Sequence, residues 1–186
     1  KMKKIVTLWL WGFMLLGLGA CDESSQDVVT VEDAQKAFNS LKGTYVGTVM
    51  DNNVPTRASV TIGRDFSVRD LPIRPLLKDF LSDEEMVEAL KTVKGLVYQA
   101  PTVSMALTED QSQLLLMMEP TDWQFTVTAG GKDYEISALM RAAVVYFLQS
   151  EKLSMEIIVQ SLSCNGQQAD LSLEGISYFI DQAEKQ

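Results

Sequence analysis

The chain has 186 residues, of which 25 are acidic and 16 basic, giving a net charge of −9 with 46% hydrophobic residues. This balance suits a single globular domain and speaks against nucleic acid or an anionic membrane surface as partner. Histidine is absent, which removes the usual general base, the commonest zinc ligand and every Ser-His or Cys-His nucleophile pair.

The first 21 residues organise the rest. Lys1, Lys3 and Lys4 precede an apolar run from Ile5 to Ala20, which ends in Leu18-Gly19-Ala20-Cys21. The run is 16 residues long, short of the ~20 that cross a bilayer as a helix. A basic start, a short apolar core and small residues before a cut site make a secretory signal. The small-small-Cys ending resembles a bacterial lipobox. That resemblance implies cleavage before Cys21, acylation of its sulfur and its new amine, and tethering to the cell envelope, expected at the outer membrane on its periplasmic side or at the cell surface. Several acyl chains hold firmly, because each buried methylene contributes ~0.8 kcal/mol. Removing residues 1–20 takes away three Lys and no acid, so the net charge moves from −9 to −12. With Cys21 acylated, Cys164 is left alone and no intramolecular disulfide forms; it reads as a small packing residue.

Residues 21–29 read as the lipidated cysteine and a flexible acidic tether. Asp22, Glu23 and Asp27 resemble in part the surface-export signal of Bacteroidetes-type lipoproteins; an ordinary acidic spacer is the alternative. Residues 30–186 are expected to form one β-rich domain. Thr30 to Asp33 has the form of a capping box, and Ala34, Ala37, Phe38 and Leu41 then share one helical face. From Gly43 the period changes to two, with strands over Thr44 to Val49, Ala58 to Ile62, and Phe66 to Val68. Pro72 and Pro75 open a helical insert, residues 75–94, with a second capping box at Ser82 to Glu85. Strands return with Val103, Met105 and Leu107. The all-apolar Leu114 to Met118 follows, expected to be covered on both faces by the core and the insert.

Trp123, Phe125, Val127 and Ala129 alternate with polar residues, as do Lys132, Tyr134, Ile136 and Ala138, around a Gly130-Gly131 hairpin turn. The implied register sets Val127 against Tyr134, Phe125 against Ile136 and Trp123 against Ala138. Leu139 to Leu148 is dense enough for helix or strand, and its β-formers favour a strand. Leu153 to Val159 is its return partner. Asn165-Gly166 makes a tight turn into Ala169, Leu171 and Leu173, and a bulge at Gly175 shifts parity toward Ile176, Tyr178 and Ile180. The whole predicts a mainly β fold, an antiparallel barrel or sandwich with an N-terminal helix and a helical insert.

Gly43-Thr44-Tyr45-Val46-Gly47 after a short helix resembles the opening of lipocalin-like domains, with Tyr where lipocalins carry Trp. Together with Leu71-Pro72-Ile73, Leu76-Leu77-Lys78, Asp83-Glu84-Glu85 and the Trp123-to-Ala138 hairpin, it also resembles a family of Bacteroidales lipoproteins known only as a domain of unknown function. That second resemblance spans most of residues 40–180 and implies a cell-envelope location and a β-rich fold, with no activity.

Candidate chemistry is sparse. Asp51-Asn52-Asn53 begins like a calcium loop, but Thr56 and Ile62 stand where the sixth-position Gly and twelfth-position Glu belong. The acidic groups at Asp83 to Glu85 and Glu109-Asp110 suit a helix cap and a turn better than a carboxylate pair for glycoside hydrolysis. No catalytic residue, metal ligand or cofactor is assigned, and the chain is expected not to be an enzyme. Tyr45, Trp123, Phe125 and Tyr134 are the candidates for lining a ligand cavity, because a barrel of eight strands either holds one small ligand or fills with side chains. Two functions follow. One is a non-catalytic interaction or structural lipoprotein that works through its surface on another envelope protein. The other is a binding protein for an apolar or glycan ligand held in a barrel mouth beneath the Pro75–Val93 helices.

Overall fold

The computed structural model describes residues 30–51, 53–171 and 175–186. Helix α1 (Val31–Leu41) starts at Thr30, whose hydroxyl accepts from Asp33 N while the Asp33 carboxylate accepts from Thr30 N. Ala34, Ala37 and Leu41 are its buried stripe. Three strands follow, β1 (Gly43–Asp51), β2 (Val54–Ile62) and β3 (Phe66–Arg69), each antiparallel to the next. The insert then carries α2 (Arg74–Leu77) and α3 (Asp83–Thr92). Ser82 caps α3 with the same reciprocal pair of bonds, here to Glu85.

The rest of the chain is strand: β4 (Val97–Ala100), β5 (Thr102–Leu107), β6 (Gln113–Met118), β7 (Thr121–Ala129), β8 (Lys132–Phe147), β9 (Lys152–Cys164), β10 (Gln167–Gln168) and β11 (Ser177–Lys185). They form one sheet in the order β4-β3-β2-β1-β11-β9-β8-β6-β5, with β7 also on β8 and β10 on β9. The ring is nearly closed. β4 and β5 are two halves of one strand bent at Pro101, the first half pairing with β3 and the second with β6. Likewise β6 and β7, separated by Glu119-Pro120, share the long strand β8. Proline lacks the N–H a ladder needs, so both breaks fall where the sequence places one. This barrel-like meander settles the barrel-or-sandwich alternative, and β8 shows Leu139 to Phe147 to be strand.

Alternate residues point inward and fill the ring: Tyr45 and Val49 of β1, Leu114, Leu116 and Met118 of β6, Met140, Val144 and Tyr146 of β8, Met155 and Ile157 of β9, Tyr178 and Ile180 of β11. Chain direction places α1 and the turns at 63–65, 108–112 and 148–151 at one end. The insert and the turns after β1, β7 and β9 lie at the other. Both ends are plugged, and the helix side chains join the same core.

Five local expectations change. β4 lies between the end of the insert at residue 94 and the strand expected from Val103, in a stretch with no expected element. In β5, Val103 and Met105 are 59% and 37% exposed rather than inward, because the strand follows the Pro101 bend and a register shift between Thr102 and Ser104. The insert packs on β7, not β6; Leu115 and Met117 on the outer face of β6 are half-buried. After Asn165-Gly166, Gln167 and Gln168 pair with β9 and Ala169 N donates to Leu162 O at 2.8 Å, but the strand expected over Ala169 and Leu171 does not continue among the described residues, and Leu173 lies outside them. The irregularity in the last strand falls between Ile180 and Ala183, where Gln182 has φ 50°, instead of at Gly175.

Candidate functional site

The hairpin that contributes three of the four cavity candidates has the expected register, Trp123 opposite Ala138, Phe125 opposite Ile136 and Val127 opposite Tyr134. Gly130 and Gly131 have φ 56° and 70°, the positive values that a two-residue turn of this hand requires. The inward face of β7 packs under α3.

Each candidate side chain already has a structural task. Tyr45 is fully buried at the α1 end. Its hydroxyl donates to Leu41 O at 2.8 Å, satisfying a carbonyl at the end of α1. Its ring meets Tyr146 edge-on at 6.2 Å, and burial pushes its phenol above the ordinary range. Trp123 lies where β4 and β7 approach without pairing, and its Nε1 donates to Val97 O at 3.1 Å across that seam. An aromatic chain runs on from it: Trp123 to Phe125 at 4.9 Å, Trp123 to Tyr98 at 6.3 Å and Tyr98 to Phe66 at 6.2 Å. Tyr98 donates to Met140 O at 3.1 Å, beside the register shift of β8, and burial pushes its phenol up to about 12.

Tyr134 is half-buried, and its hydroxyl donates to Glu85 Oε1 at 2.8 Å. Glu85 also accepts from Ser82 Oγ and Ser82 N, and these donors, with Tyr134 third, hold its carboxyl at about 2. One helical turn on, Glu88 Oε2 accepts from Gly130 N at 2.7 Å. Two carboxylates thus latch α3 to the β7–β8 hairpin. The four candidates do not converge on one cavity: Tyr45 serves the α1 end, Trp123 and Phe125 the packed core beneath the insert, and Tyr134 the latch.

The methionines divide the same way. Met118, Met140 and Met155 are buried core, whereas Met50 and Met105 are exposed. Two concavities among the described residues are open grooves on the outside. One, of about 300 Å³, lies between α1 and the Leu107, Gln111 and Leu148 region. The other, of about 380 Å³, is lined by Val46, Arg57, Ser59, Arg69, Asp70 and Gln186.

The acidic groups have local roles too. Asp110 accepts from Thr108 Oγ1, Ser112 Oγ and Ser112 N, which lowers its carboxyl below the ordinary range. Asp51 closes the β1–β2 hairpin opposite Val54, with Arg74 Nε 3.8 Å away. Among the described residues no three His, Cys, Asp or Glu side chains come together to hold a metal ion. Cys164 is buried against the core, and burial pushes its thiol up. Cys21 lies outside the described residues. Tyr98 carries no signal in the sequence pattern, yet its hydroxyl and that of Tyr178 reach Met140 O and Pro72 O across the interior. Alternation placed Tyr178 inside, but only the fold shows what its hydroxyl meets.

Fold and site together define a mainly β protein whose barrel-like sheet is filled by its own side chains and plugged at both ends. Residues 40–164 match the model of a family described as a domain of unknown function, DUF4840, and the chain belongs to that family. No curated protein matches the chain, and no solved structure matches it.

Proposed function

We propose that this is a membrane-anchored lipoprotein of the cell envelope, held at the outer membrane through Cys21, which acts without catalysis as an interaction or structural module on another envelope protein. The Leu18-Gly19-Ala20-Cys21 ending supports the anchor. The observation that carries the choice of role is the use made of the interior. Tyr45 and Trp123 are packed and bonded within the core, Phe125 is packed there against Trp123, and Tyr134 is bonded to Glu85. A ligand in the barrel would have to displace these contacts, whereas the outer surface is available without cost.

The anchor is tested by growing the producing cell with an alkyne-tagged fatty acid. The chain is expected to take the label and sediment with membranes, and Cys21→Ser to lose both properties. Labelling unchanged in Cys21→Ser overturns the anchor. Native mass spectrometry of the same protein tests the role. Extra mass that survives gentle ionisation and vanishes on denaturation would turn the reading to ligand binding.

A further inference from the structure

The outer face of the sheet at β6, β8, β9 and β11 holds a carboxylate that the rest of the chain does not explain. Glu156 projects from β9 between Ala143 of β8 and Phe179 of β11, with Met117 of β6 next in the same row. Its Oε2 is buried and has no hydrogen-bond partner among the described residues, and burial pushes its carboxyl above the ordinary range. A desolvated, unpaired carboxylate is costly. Around it apolar side chains stand where a solvent-facing sheet is normally polar: Phe179 is 42% exposed and Ile158 39%, beside Ser154, whose hydroxyl donates to Asp181 in the next row. Arg141 pairs with Ile158 one row on, so it lies diagonally across from Glu156. It is exposed and makes no ion pair among the described residues.

An unpaired anion and an unpaired cation set diagonally on one partly apolar face are self-complementary under a two-fold rotation. We propose that a second copy of this chain docks on this face, about a two-fold axis passing between Glu156 and Arg141. Each Glu156 carboxylate then meets the partner's Arg141, and the Ile158 and Phe179 side chains of both copies are covered. Four adjacent strands at ~4.8 Å spacing give a face about 14 Å across, enough to seat another sheet. The net charge of −9 opposes association at long range, so moderate salt, which screens that repulsion more than a desolvated contact pair, strengthens the dimer.

The inference rests on the surface-acting role proposed above, and its failure is separable: a monomer overturns the docking face while leaving the lipidation result untouched. The test is sedimentation of the full chain in mild detergent over a wide concentration range, with circular dichroism to establish folding. The wild-type chain is expected to dimerise. Glu156→Lys and Arg141→Glu each set like charges together and are expected to weaken self-association at least ~10-fold. Mixed with each other, the two variants restore both opposite-charge contacts and are expected to form a heterodimer. Phe179→Asp is expected to abolish dimerisation. A wild-type chain that stays monomeric, a dimer indifferent to these substitutions, or a mixture that forms no heterodimer would each overturn the proposal.

Discussion

Gly47 sits at the crossing of β1 and β11, where the register shifts between Val46 and Thr48. A Cβ there would overlap Ile180 Cγ2 and come within 3.0 Å of Ala183 Cβ. The backbone approach, not φ, makes glycine necessary at this position. Gly47→Val is expected to destabilise by ~1–3 kcal/mol through overpacking, read as a lower urea midpoint at unchanged slope. Ile180→Ala in the same chain is expected to recover part of the loss. A midpoint that does not move would show that β11 yields at no cost. Alternation marked Gly47 as inward beside Tyr45 and Val49; that it touches Ile180 of β11 depends on a pairing 133 residues away in sequence, which no local pattern encodes.

Elements whose instructions are local were the most legible. Both capping boxes, the Gly130-Gly131 hairpin and its register were readable because the residues that fix them lie within a few positions of one another. β4 was not readable, since its four residues follow a helix and precede Pro101 and are too short for a period to show. The acidic run Asp83-Glu84-Glu85 was readable as a cap but not as a latch, because Tyr134 lies 49 residues on. That latch sets a pH response. The folded value of Glu85, about 2, lies below its ordinary 4.5, so its stabilising contribution is fully present above pH ~4.5 and is lost as pH falls toward 2. Tyr134→Phe removes one of the three donors. It is expected to flatten the acid slope of stability in that window and to speed hydrogen exchange in α3 at neutral pH. Acid unfolding curves of the two proteins that superimpose would show that Ser82 alone holds the carboxylate.

At the scale of the molecule, the sequence pattern carried β class, antiparallel order and the positions of the helices, but not the closure. Closure depends on Pro101 dividing one strand between two partners, and on Trp123 bridging the seam left beside β7. The cavity candidates were legible as inward aromatics and illegible as occupants of a full interior, because filling is decided by volumes contributed from distant strands. Trp123→Ala removes both a buried ring and the seam bond and is expected to cost ~3–5 kcal/mol. Thermal melts check this, and a loss under 1 kcal/mol would mean that the interior collapses to fill the space.

The pairing of β1 with β11 has a consequence in time. Tyr45 stands opposite Lys185, 140 residues later, and such distant contacts are slow to form. A chain delivered from its N-terminus therefore displays one edge of β1 until the last strand has emerged, and that edge is open to pairing with other chains. Pulse-labelled exchange during refolding should show the β7–β8 hairpin protected first and the amides of β1 that face β11 last. Simultaneous protection of the two would mean that the ring closes in a single step.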